Sequence, residues 1–227
     1  VLLGCEAEEN MKKPNLIAAL RPKSLDEVIG HDDIKPAIRK FIDQECQQWL
    51  FHGKTGTGKT SLAWIVAREL VGPDYDPHEI QEINGGRISD VRDAVENRDQ
   101  PSIWNKSKYR VYIMDEAQMF TDDARSLLLG PLEEQDSDRV WILCTMDVDN
   151  LDRALRDRCT AKFQLKGMGP FERRQLVDRA AKYIGYGGDT TKFLKAIDDQ
   201  KLYSARDILG AFERFANNVP VEEAVGV

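Results

Sequence analysis

No apolar stretch in the 227-residue sequence approaches the roughly 20 residues that a bilayer-crossing helix needs, so no membrane contact is expected. Cysteine is scarce, with only Cys5, Cys46, Cys144 and Cys159, and no pair has C-x-x-C spacing. The three histidines, His31, His52 and His78, are scattered. Neither residue type suggests a metal cluster, and reduced thiols fit a cytoplasmic, nucleoid or nuclear setting. Excess positive charge is also missing. The formal net charge of −7 excludes a globally basic nucleic-acid binder and leaves room only for a local basic patch. What remains is 41% apolar and 31% charged, enough for one large core or two smaller ones and far from a disordered composition.

The first ten residues, "VLLGCEAEEN", precede Met11. "LLGC" is faintly similar to a lipoprotein cleavage box but lacks the basic and long apolar regions of a secretion signal. Residues 1–15 are expected to be an extension, disordered or left over from cloning.

Beyond them, apolar β-rich runs alternate with helical patterns. Strands are expected near 47–52, 79–83, 110–114, 140–145 and 161–165, with helices near 26–43, 59–70, 88–98 and 122–134. Short buried strands separated by helices predict an α/β fold with a parallel five-stranded sheet covered on both faces. From about residue 168 the spacing becomes purely helical, in "GPFERRQLVDRAAKYIG", "TTKFLKAIDD" and "SARDILGAFERFANN". The division is therefore an α/β domain over 16–167 and a small all-α domain over 168–227. The polar stretch 97–110, "NRDQPSIWNKSKYR", reads as an exposed loop.

The strongest local signal is "FHGKTGTGKT" at 51–60. Gly53, Gly58, Lys59 and Thr60 satisfy G-x-x-x-x-G-K-[ST] between an expected strand and an expected helix, the setting that supports the motif. Amides of Lys54, Thr55, Gly56, Thr57 and the residues up to Ser61 would converge on an anion, aided by the positive end of the helix. Lys59 would reach the β- and γ-phosphates, and the Thr60 hydroxyl would ligate Mg²⁺. A second element lies about 55 residues on, where "RVYIMDEAQ" ends an apolar strand in Asp115 and Glu116. Adjacent carboxylates there are costly without a nearby cation. Asp115 is expected in the Mg²⁺ shell and Glu116 as the group that polarises an attacking water. Together they point to a triphosphate hydrolase.

From about Leu16 to Phe215 the sequence resembles AAA+ ATPases of the clamp-loader group, which includes replication factor C small subunits and the bacterial tau/gamma subunit. "LRPKSLDEVIGHDDI" is similar to the family's adenine-contacting stretch. Arg21, Pro22, Val28 and Ile29 match, while Leu20 stands where an aromatic is usual. "EINGGRISDVRDAVEN" and "TDDARSLLLGPLEE" also resemble family segments. By the same resemblance, Thr145 in "VWILCTMD" is the first sensor, Arg158 in "LRDRC" is an arginine finger, and Arg206 in "YSARDILGAF" is the second sensor of the lid. Asp157 stands where serine is usual, and a carboxylate there could pair with Arg158 and blunt it; Arg153 and Arg156 are surface charges or substitute fingers. For DNA, Arg87, Ser89 and Arg92 at a helix N-terminus are the candidates, with Lys106 and Lys108 nearby; a solvated helix face is the competing reading.

The resemblance implies ATP and Mg²⁺, assembly with itself or related AAA+ subunits in a ring or spiral, and loading or remodelling of a sliding clamp on primed DNA. A replicative helicase loader and a nucleotide-gated scaffold without turnover are the alternatives. The bacterial subunit's four-cysteine zinc insertion is absent between the loop helix and the next strand, where only "VGPDYDPH" stands. Clamp-loader subunits continue into a helical collar; its absence here reads as truncation or as assembly through the ATPase modules alone.

Overall fold

The computed structural model describes residues 15–84, 88–96, 107–134 and 137–226. Ahead of the sheet come α1 (Leu16–Ala19) and α2 (Lys35–Asp43). The α/β body then runs β1 (Gln48–His52), α3 (Lys59–Val71), β2 (Ile80–Asn84), α4 (Ile88–Glu96), β3 (Arg110–Asp115), α5 (Asp122–Glu133), β4 (Arg139–Thr145), α6 (Arg153–Arg158) and β5 (Ala161–Gln164). Four further helices complete the chain: α7 (Pro170–Ile184), α8 (Thr191–Asp199), α9 (Ala205–Ala216) and α10 (Val221–Val225).

All strand pairs are parallel, in the order β2-β3-β4-β1-β5. Parallel strands need crossovers, and the helices supplying them cover both faces of the sheet. Alternation along β1 divides the core. Trp49 and Phe51 pack with Phe163, Ile142 and the inner face of α3, while Leu50 faces Trp141, Tyr112 and α5. Every residue of β4 is buried. Its first residue, Arg139, lies outside the expected strand and is only 4% exposed. The guanidinium donates to the Ala94 and Val95 carbonyls (3.3 and 2.9 Å) near the end of α4, which answers orphan acceptors of that helix.

The expected helical region at 26–43 is interrupted. A single turn at Leu25–Glu27 is followed by Gly30 and His31, both at positive φ (80° and 59°). The regular helix begins only at Lys35, with Pro36 in its first turn, where a missing N–H costs nothing. Phe193, Phe212, Ile208 and Val177 form the centre of a third core in the helical unit. Leu16 is buried in that helical core rather than against the sheet. No described helix is long and apolar enough to cross a membrane.

Candidate active site

The site sits at the carboxyl ends of the strands, the usual location for ligands in an open parallel sheet. β1 delivers the chain into Gly53, whose N–H donates to the Thr145 carbonyl (3.2 Å) and ties the loop to the end of β4. Gly53 has φ 149°, and a Cβ there would lie 2.2 Å from the Leu165 carbonyl oxygen. Gly58, at φ 99°, caps α3. The Thr57 hydroxyl closes the loop on Lys54 O (2.8 Å), and His31 Nε2 donates to Thr57 O (3.0 Å). Loop closure leaves the backbone amides of residues 54–60 without an acceptor among the described residues. Orphan donors at the N-terminus of a 13-residue helix have the geometry that suits an anion.

Lys59 is buried, and its Nζ donates to the carbonyls of Gly53 (2.8 Å) and Lys54 (3.1 Å). Burial lowers its pKa from the ordinary 10.5, opposed by the charges of Glu116 and Asp115. A polyphosphate beside it would favour the charged form.

Asp115 ends β3, and its Oδ2 accepts from the Thr60 hydroxyl at 2.9 Å. Burial is the main cause that raises the Asp115 pKa; the Glu116 and Glu82 carboxylates raise it further. The hydroxyl and carboxylate oxygens are hard donors held within one hydrogen bond of each other, on a carboxyl disfavoured as a bare anion. They fit a magnesium ion coordinated by few protein ligands plus phosphate and water. Glu116 follows in the left-handed region at φ 52°, a conformation that costs about 1–2 kcal/mol outside glycine and persists only where the surrounding structure fixes it.

These groups line one cavity of about 460 Å³, inside the range of small-molecule pockets. The loop, Asp115 and Glu116 form its polar end. Leu20, Arg21, Pro22, Val28 and Ile29 enclose it from the N-terminal side, and Leu209 and Arg206 from the helical unit. The Arg206 guanidinium makes no hydrogen bond or ion pair with another described residue. The helical unit is docked on the loop: the Ala205 N–H donates to Gly56 O (3.2 Å) beside the α9 cap Ser204.

Residues 49–166 match the family model described as "ATPase family associated with various cellular activities (AAA)". The chain belongs to that family. Among its relatives, the replication factor C small subunit of Haloarcula marismortui is 32% identical over 146 residues, covering 63% of this chain and 45% of that protein. Replication factor C subunit 3 of Saccharomyces cerevisiae is 33% identical over 174 residues, with 73% and 51% covered. The AAA chain spans about half the length of these curated relatives. In fold it is similar to the Thermotoga maritima RuvB Holliday junction branch migration motor, with a TM-score of 0.62, 21% identity, and 89% and 74% of the two chains covered.

The remaining candidates of the AAA chain fall in separate places. Thr145, fully buried at the end of β4, meets the acidic pair through Gln118, whose Oε1 accepts from its hydroxyl at 2.7 Å. Arg158 lies on α6, outside the cavity. Asp157 does not pair with Arg158. Arg153 takes Asp157 one helical turn away (3.4 Å), while Arg158 bonds Glu133 of α5 and Ala154 O. Arg156 pairs with Asp149 at 3.6 Å. Of the DNA candidates, Arg87 lies outside the described residues. Arg92 pairs with Glu96 on its own helix (3.6 Å), and the Ser89 hydroxyl donates to Asp90 (3.0 Å). Lys106 also lies outside the described residues, and Lys108 pairs with Glu45.

Three contributors had no signal in motif spacing: Gln118, His31 and Glu82 matter through tertiary contacts. A fourth, Ser204, was readable as a helix cap from the S-x-x-D pattern at Ser204–Asp207.

Proposed function

We propose that the chain is a clamp-loader-like AAA+ ATPase that binds Mg²⁺ and ATP in the 460 Å³ cavity and hydrolyses ATP at contacts between subunits. The observation that carries this is the row of unpaired loop amides facing the Thr60–Asp115 pair. The amides and Lys59 would hold the phosphates. Arg21, Pro22, Val28 and Ile29 would enclose the adenine. Thr60 and Asp115 would hold magnesium, which when bound neutralises charge on the β- and γ-phosphoryl oxygens. Glu116 would take the proton of the attacking water, with Thr145 helping to orient it. Arg206 would sense the γ-phosphate from the lid.

Arg158 is proposed to complete a neighbouring subunit's site after leaving Glu133. A guanidinium delivered in this way is worth about 10³–10⁵-fold in rate. Likeness to replication factor C small subunits supports a task in DNA replication or repair, with related AAA+ subunits, a sliding clamp and primed DNA as partners. Arg87, Ser89 and Arg92 are the proposed phosphate contacts on DNA.

The test mixes two inactive variants, Glu116→Gln and Arg158→Ala, with Mg²⁺, ATP, primed DNA and a sliding clamp. Each alone should be nearly silent, and the mixture should recover part of the turnover because intact sites form at mixed interfaces. An Arg158→Ala protein as active as wild type in the assembled state would remove the trans finger. Turnover stimulated by a helicase but not by a clamp would redirect the task to helicase loading.

A further inference from the structure

Gln118 follows the acidic pair in the single turn Ala117–Met119 and uses both ends of its amide. Its Nε2 donates to Glu116 Oε2 at 2.5 Å. Its Oε1 accepts from the Thr145 hydroxyl (2.7 Å) and from the Met146 N–H (3.3 Å). The backbone carbonyl of Gln118 is held by Arg125 Nη2 at 2.7 Å, which fixes the turn from α5. No other hydrogen bond or ion pair reaches the Glu116 carboxylate among the described residues.

The Thr145 hydroxyl carries one proton and faces two acceptors, Gln118 Oε1 at 2.7 Å and Asp147 O at 2.9 Å. It can therefore satisfy only one of them at a time. A Thr145 hydroxyl turned wholly to Asp147 O would leave the Gln118 amide with only the weaker Met146 donor. The amide would then be free to turn, and the Glu116 carboxylate with it.

We propose that Gln118 is a positioning residue for hydrolysis, aiming the Glu116 carboxylate and coupling it to the state of Thr145. With Oε2 taken by the amide, Glu116 presents Oε1 to a water. The inference rests on the reading of Glu116 as the base of an ATPase. The amide supplies a donor to a carboxylate and an acceptor to a hydroxyl from one planar group, and it does so whatever the pH. Replacement by glutamate keeps the size and removes the donor until that side chain is protonated.

The experiment compares wild type, Gln118→Ala and Gln118→Glu as the assembled protein with primed DNA, measuring ATP affinity by calorimetry and turnover by phosphate release across pH. Gln118→Ala should bind Mg²⁺ and ATP within about threefold of wild type while kcat falls about tenfold or more. Gln118→Glu should be slower still at about pH 8 and regain turnover relative to wild type toward about pH 6, because two facing carboxylates share a proton more readily as pH falls. Turnover within about threefold of wild type in both variants, or a flat ratio across pH, overturns the inference. So does a loss of turnover matched by loss of ATP binding or of folded structure, which would make Gln118 a purely structural bracket. A wild-type protein that neither binds nor hydrolyses ATP overturns the underlying ATPase reading instead, so the two failures are distinct.

Discussion

Substituting alanine at Gly56 and at Gly58 separates loop strain from lid docking. Both glycines have positive φ, 72° and 99°, so each alanine incurs a backbone cost of about 1–2 kcal/mol. Their surroundings differ. A Cβ at Gly58 meets nothing within 4 Å, whereas one at Gly56 would lie 1.9 Å from Ser204 Oγ and 2.8 Å from Ser204 Cβ. Ser204 is buried and caps α9 by accepting from the Asp207 N–H at 3.3 Å. The new methyl must displace it. Losing the cap costs about 1 kcal/mol, and losing the bond from the Ala205 N–H to Gly56 O costs about another 1 kcal/mol. Gly56→Ala should therefore destabilise lid docking by about 2 kcal/mol more than Gly58→Ala, close to 30-fold in the docking equilibrium. Amide hydrogen exchange over residues 204–209 reads this directly. Protection of Ala205 should fall about 30-fold further in Gly56→Ala. Equal exchange in the two variants would refute the claim that the lid rests on the loop through Ser204.

Three other outcomes are expected. Nucleotide binding at alkaline pH should take up protons, because burial lowers the Lys59 pKa in the free protein and phosphate oxygens favour its charged form. Affinity should then fall as pH rises through the free-protein value, below 10.5; calorimetry in two buffers of unlike ionisation enthalpy measures the uptake, and zero uptake contradicts it. Phe51→Ala should cost about 3–5 kcal/mol in urea unfolding, since Phe51 is fully buried and stacks on Trp49 and Phe163 with centroids 6.0 and 5.9 Å away. Arg139→Met should cost about 2–3 kcal/mol and speed amide exchange in α4, whose Ala94 and Val95 carbonyls lose their donor; unchanged exchange there would count against the bracing role.

The sheet was legible because its inner strands β1, β3 and β4 are short apolar runs buried on both sides, a pattern that survives without tertiary information. The phosphate loop was legible because its glycines and Lys59 stand at fixed offsets set by backbone geometry. Arg139 escaped the strand reading because a buried guanidinium looks like a surface charge until α4 supplies its acceptors. The six-residue α6 was missed because it is too short to show a helical period. The break at Gly30–His31 is marked in sequence by Gly30 alone, a weak breaker signal; the positive φ of His31 leaves no compositional mark. Asp157 and Arg158 are adjacent in sequence only; on a helix the neighbours lie three and four residues apart, so Asp157 meets Arg153 instead. Gln118 belongs to no spacing pattern, and its importance appears only when β3 and β4 bring Glu116 and Thr145 to its two ends.

The most direct measurement is a calorimetric titration of ATP with Mg²⁺ into wild type and Lys59→Ala, with folding of both checked by circular dichroism. Wild type should bind one nucleotide per chain, and the variant should bind at least about tenfold more weakly, because the charged donor beside the loop amides is gone. Absence of heat from folded wild type, or equal affinity in the two proteins, would contradict the claim that the loop closes on a polyphosphate.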